Sequence, residues 1–191
     1  MTNAFDFNTL PDLTRVRLQS DLERFVKQVT GVVPSDTYQW IIYTSELDPD
    51  AKSHPIVDEI ASWAGKGSVF LYYIRVLGTP NFDDIESVYF DAKGKEKDKR
   101  SYARLNKHNQ TSAYFYVGSS KDITKRLKDH LGYCSPKTYS LQLAHWARGL
   151  ALELEFVCAK YTESTPREVY QALEDTLWNQ RKPMFGREGK R

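Results

Sequence analysis

The sequence predicts an α+β fold: a small three-stranded, mainly antiparallel sheet flanked by helices, with an N-terminal helical extension. Three observations carry that prediction. Leu152, Leu154, Phe156 and Cys158 alternate with Glu153, Glu155 and Val157, the period of a half-buried strand. Aromatic and β-branched residues cluster at Ser68–Leu77 and at Ala113–Val117, with Gly67, Gly78 and Gly118 at the ends of the runs. Apolar residues recur at helical steps in Leu13–Val29, in Ile56–Trp63 and in Ile123–Leu131.

Along the chain, Leu18, Leu22, Phe25 and Val29 form the stripe of the first helix, which should pack on a partner surface. Tyr38–Tyr43 is too short for its period to separate helix from strand, and a buried helix start is favoured. Ile56, Ile60 and Trp63 fall in helical register after the His54-Pro55 stop, and Gly65-Lys66-Gly67 ends that helix. The first strand follows at Ser68–Leu77, and a long insertion at 78–110 separates it from the second at Ala113–Val117. Gly118-Ser119-Ser120 breaks the second strand, and Asp122 is the expected N-cap of a helix from Ile123. Thr138–Trp146 reads as a helix, Leu150–Ala159 as the third strand. Thr165-Pro166-Arg167-Glu168 opens a last helix that runs to Arg181. The organisation expected is an extension at 1–66 packed on a core domain at 67–191.

Composition narrows the function classes. The 191 residues suffice for one well-cored domain with additions. No run reaches the roughly twenty apolar residues of a membrane span, and the N-terminal residues lack a signal-peptide pattern, so a cytoplasmic protein without a membrane partner is expected. Cys134 and Cys158 are too few for a zinc cluster, and Cys158 sits at a core position of its strand. The net charge of +2 hides an asymmetry. Residues 1–66 hold 6 Lys/Arg and 10 Asp/Glu, a balance of −4, which leaves +6 for 67–191. Positive charge on the motif-bearing part is the sign expected of a nucleic-acid surface.

The densest signal is Tyr114–Gly132, where an aromatic strand, a small-residue turn and a basic helix follow one another. Arg126 and His130, four residues apart, emerge on one helical face beside the Ile123/Leu127/Leu131 stripe and can converge on one ligand. Lys121 and Lys125 flank them as phosphate contacts. The insertion adds Lys97, Lys99, Arg100, Arg104 and Lys107, which read either as a solvated loop or as a basic arm along a phosphate backbone, with Tyr102 available to stack on a base.

Tyr116-Val117-Gly118, followed by Arg126 and His130, resembles the second half of the GIY-YIG nuclease module. Leu71-Tyr72-Tyr73-Ile74 is similar to the first name motif, with Phe70 where the family has Gly. Glu174 and Pro183 stand nine residues apart, as the family's metal-binding Glu and following Pro do, while Gly186 replaces its usual Asn. The resemblance covers about 68–186, as a divergent member with an insertion between the two name motifs. It implies a metal-dependent DNA endonuclease, with RNA an alternative substrate, in which Tyr72 is the leading general base and Tyr116 orients water or phosphate. Arg126 would stabilise transition-state charge, His130 would hydrogen-bond a tyrosine or relay a proton, and Glu174 would hold Mg²⁺, with Mn²⁺ a substitute. A catalytically impaired relative that binds nucleic acid or protein is the competing reading, because Phe70 and Gly186 depart from the pattern. The oligomeric state, monomer or homodimer, stays open.

Overall fold

A computed structural model describes residues 9–94 and 99–188. The chain divides into two compact units, Met1–Val33 and Pro34–Arg191. The first is the helix α1 (Leu10–Gly31), none of whose residues is buried.

The second unit holds β1 (Asp36–Tyr43), α2 (Pro55–Ala64), β2 (Ser68–Val76), α3 (Phe82–Gly94), β3 (Tyr114–Ser120), α4 (Ile123–Leu131), β4 (Glu153–Thr162) and α5 (Arg167–Arg181). Its sheet runs β1-β4-β2-β3, every pair antiparallel. The α+β class is as expected, with one strand more. Tyr38–Tyr43, expected to be helical, is part of that fourth strand. Trp40 and Ile42 are buried while Gln39, Ile41 and Tyr43 are exposed, a two-residue period that only pairing with β4 (Trp40 opposite Phe156) makes decisive.

Phe70, Tyr72 and Ile74 point to one face of β2, and α2 and α4 cover that face. Trp63 of α2 meets Phe70 at 5.8 Å, and His130 of α4 meets Tyr72. Phe70 is thus a core residue against Trp63, which gives the bulk at this position a packing partner. Cys158, opposite Tyr72 on β4, is fully buried, as its strand position predicted.

Two other expectations are corrected. The insertion at 78–110 is largely built into the fold. α3 buries Ile85, Tyr89 and Ala92, and the Tyr89 hydroxyl donates to the Ala103 carbonyl at 2.6 Å. Tyr102 is buried at 6% exposure and is not available to stack on a base. Leu105 bridges Phe185, and Asn106 N–H donates to the Met184 carbonyl while Gly186 N–H donates to that of Arg104. The charge density of the insertion masked this, because its few apolar residues are spent on one aromatic cluster of Tyr89, Tyr102, Trp146 and Phe185. Thr138–Trp146 is not a helix beyond a single turn at Leu143–His145. Its backbone is occupied elsewhere: Tyr139 C=O and Leu141 N–H bond side chains of α4, and Gln142 takes a left-handed conformation.

Candidate active site

Four predicted site residues meet over the β2–β3 pair. Tyr72 and Tyr116 belong to one face of the sheet, their rings parallel within 10° and 6.2 Å apart. They fit side by side because β3 continues through Gly118, which is paired with Tyr72. A Cβ on Gly118 would lie 2.9 Å from the Tyr72 hydroxyl and 3.0 Å from a Tyr116 ring carbon. Gly118-Ser119-Ser120 therefore does not end the strand, as the composition suggested. The glycine serves close approach, and the chain turns only at Lys121-Asp122.

Asp122 then caps α4 by accepting the Lys125 N–H at 2.9 Å, as expected. Burial of Ile123, Leu127 and Leu131 fixes the helix rotation and aims Arg126 and His130 at the tyrosines. Arg126 Nε–H donates to the Tyr72 hydroxyl at 3.1 Å, one terminal nitrogen to the Tyr116 hydroxyl at 2.8 Å, and the other to the Tyr139 carbonyl at 3.1 Å. The His130 Nε2 lies 2.9 Å from the Tyr72 hydroxyl, and its Nδ1 accepts the Leu141 N–H at 3.3 Å. Tyr139 is a participant that sequence reading passed over. It holds Arg126 through its carbonyl, and its hydroxyl accepts the Arg104 N–H at 2.7 Å, tying the insertion to the site.

The electrostatics follow from burial. Tyr72 is 1% exposed, and desolvation raises its pKa despite the opposing Arg126 charge; Tyr116 shifts the same way for the same reason. Both are neutral phenols in this state. Burial disfavours charge on Arg126, but the two phenols beside it outweigh that and raise its pKa, so it stays cationic. His130, wholly buried beside Arg126, is held well below its ordinary pKa and is neutral.

Glu174 projects from α5, which packs on β3. One of its carboxylate oxygens accepts from the Ser119 hydroxyl at 2.5 Å, and no described group bonds the other. Burial raises the Glu174 pKa, opposed by the Ser119 bond. Among the described residues no group of three or more His, Cys, Asp or Glu forms a metal cage. A single open carboxylate oxygen fits a hard cation that keeps waters and takes phosphate oxygens as its other ligands.

The predicted phosphate contacts divide. Lys99, Arg104, Lys107 and Lys121 are exposed, whereas Arg100 donates to the buried Gln142 and Lys125 pairs with Asp129 at 2.8 Å. Lys97 lies outside the described residues. Of the other histidines, His54 caps α2 and His145 bonds the Gly132 carbonyl.

The α+β sheet thus brings together paired tyrosines, a half-buried guanidinium and, from α5, a carboxylate with one open oxygen. Residues 102–188 match the model of the GIY-YIG catalytic domain, which supports membership of the GIY-YIG superfamily. Tyr72 and its strand precede the matched segment and are joined to it by the β2–β3 and β2–β4 pairings. Neither a curated protein nor a solved structure matches the chain. A domain of this kind points to nuclease-type chemistry on nucleic acid. No described helix is long and apolar enough to cross a membrane.

Proposed function

We propose that this protein is a metal-dependent DNA endonuclease whose site is Tyr72, Tyr116, Arg126, His130 and Glu174. The observation that carries the reading is the hydrogen bonding of Arg126. Three of its five N–H groups hold Tyr72, Tyr116 and the Tyr139 carbonyl, which leaves one on each terminal nitrogen for a phosphate oxygen. The guanidinium is already fixed and half-buried before substrate arrives, so charge gathering on the phosphate meets an oriented cation at no cost of reorganisation.

Tyr72 is the general base of this reading. As a neutral phenol it must first release its proton to solvent, and two donors, Arg126 Nε–H and His130 Nε2–H, aim at the oxygen where the phenolate charge would form. The phenolate then takes the proton of the attacking water. Tyr116, slightly more exposed, orients that water or the phosphate through its own hydroxyl. Glu174 holds Mg²⁺, or Mn²⁺ in its place, which supplies Lewis-acid stabilisation of the phosphate when bound. Ser119 fixes the carboxylate by donating to one oxygen and leaves the other free.

The test is nicking of supercoiled plasmid with Mg²⁺ or Mn²⁺ by wild type, Arg126→Ala and Glu174→Ala. Metal-dependent nicking lost in both variants, with their folds retained, is expected; unchanged cleavage in both would overturn the assignment. DNA binding without cleavage under any divalent metal would establish the impaired, binding-only relative. A parallel RNA substrate distinguishes the two nucleic acids.

A further inference from the structure

A cleft of about 410 Å³ opens between the insertion and the end of α5, lined by Arg104, Lys107, His108, Trp178 and Lys182 together with asparagines. Its chemistry is one-sided. Three cations face it, no acidic side chain lines it, and no described carboxylate pairs with Arg104, Lys107 or Lys182. The indole N–H of Trp178 is buried without a hydrogen-bond acceptor. The cleft is also held in shape. Asn106 and Asn109 both donate to the Pro183 carbonyl, at 2.8 and 3.2 Å, which locks the insertion onto the segment after α5. That segment continues to Gly186, whose backbone lies against the Tyr116 ring, so the cleft and the tyrosine site share one short stretch of chain.

We infer that this cleft binds a nucleotide unit of single-stranded nucleic acid, with phosphates on Arg104, Lys107 and Lys182 and a base against the Trp178 indole. The inference rests on the nucleic-acid reading of the same domain and adds a strand-holding site outside the catalytic one. Cations that follow a backbone beside an aromatic ring are the combination that binds single strands without regard to sequence, since every base has a π-face. Its lining is part polar and part apolar, as the phosphate and the base of one nucleotide require.

The experiment measures fluorescence anisotropy of a labelled oligothymidylate of about 15 nucleotides in EDTA, where no cleavage is needed, across a salt series. Lys107→Gln/Lys182→Gln is compared with Trp178→Leu and wild type. The charge pair, both exposed, is expected to bind at least about tenfold more weakly at low salt, with the slope of log K against log salt reduced by about 1.4 for two lost phosphate contacts. Trp178→Leu is expected to bind about tenfold more weakly through lost stacking. Wild-type affinity and slope in the charge pair overturn the proposal whether or not the Trp178 variant folds. Plasmid nicking is measured separately: cleft-dependent binding without nicking sinks the nuclease reading alone, and nicking with unaltered binding sinks the cleft alone.

Discussion

The His130 ring bridges Leu141 and Tyr72, accepting the backbone N–H of the first on Nδ1 and lying 2.9 Å from the hydroxyl of the second through Nε2. A nitrogen that accepts carries no proton, so the neutral ring bears its hydrogen on Nε2 and donates it to Tyr72. His130 therefore orients Tyr72 and steadies a phenolate. It is not itself a base toward that tyrosine.

One consequence is a pH dependence of stability. In the unfolded chain the imidazole takes up a proton near about 6.5, whereas burial and Arg126 keep the folded ring neutral well below that. Below that pH the unfolded state binds more protons, so this contribution is complete above about 6.5 and is lost progressively on acidification. Thermal melts from about pH 8 to 5 should show wild type losing Tm on acidification faster than His130→Gln. Parallel curves for the two proteins would mean that His130 titrates alike in both states.

Glu174 is shifted in the opposite direction by the same physics. Burial raises its pKa, so just above the ordinary carboxylate range the folded state binds more protons than the unfolded, and this contribution to stability declines as pH rises. The ionised carboxylate is therefore a cost to the fold at neutral pH. Glu174→Gln keeps an acceptor for Ser119 and removes the charge. Its expected outcome is loss of metal-dependent nicking with Tm equal to or above wild type at pH 7. A marked fall in Tm would make Glu174 a structural residue.

Arg126→Lys separates charge from geometry. A lysine ammonium retains the cation but lacks the planar fork that reaches Tyr72, Tyr116 and the Tyr139 carbonyl together. Nicking rates should fall by about 10²–10³, the scale of losing one oriented donor to a transition state. Single-turnover kinetics at saturating metal check this. A rate within tenfold of wild type would show that charge alone suffices.

Which of these features could be read from the sequence depended on the range of the interaction that sets them. The Asp122 cap, the α4 stripe and the joint direction of Arg126 and His130 depend on residues within one turn of each other, and all were legible. β1 was not, since Tyr38–Tyr43 takes its two-residue period from β4, more than a hundred residues away. The insertion read as a charged loop because Tyr89 and Leu105 find their partners in Trp146 and Phe185, and Tyr102 bridges Ser140. Tyr139 was invisible for another reason. Its decisive group toward Arg126 is a carbonyl, which every residue possesses.

Gly186, where the superfamily pattern has Asn, follows from contacts specific to this chain. Its φ of +104° is one that L side chains rarely adopt, and a Cβ there would lie 2.9 Å from a Tyr116 ring carbon. Its N–H is fixed to the Arg104 carbonyl at 2.8 Å, so the insertion itself holds the backbone against the tyrosine. Restoring the family residue as Gly186→Asn should thus weaken the protein, by about 1–3 kcal/mol for the strained backbone alone, and displace Tyr116 from Arg126. Gly118→Ala is the matched comparison, because its Cβ would press on the Tyr72 hydroxyl and on Tyr116 from β3 without a positive φ. Urea denaturation should therefore show Gly186→Asn as the less stable of the two, while both lose nicking activity by at least about tenfold, the scale of a misplacement of reacting groups. A Gly186→Asn protein with wild-type stability and higher activity would mean that Tyr116 yields easily and that the glycine is a simple loss.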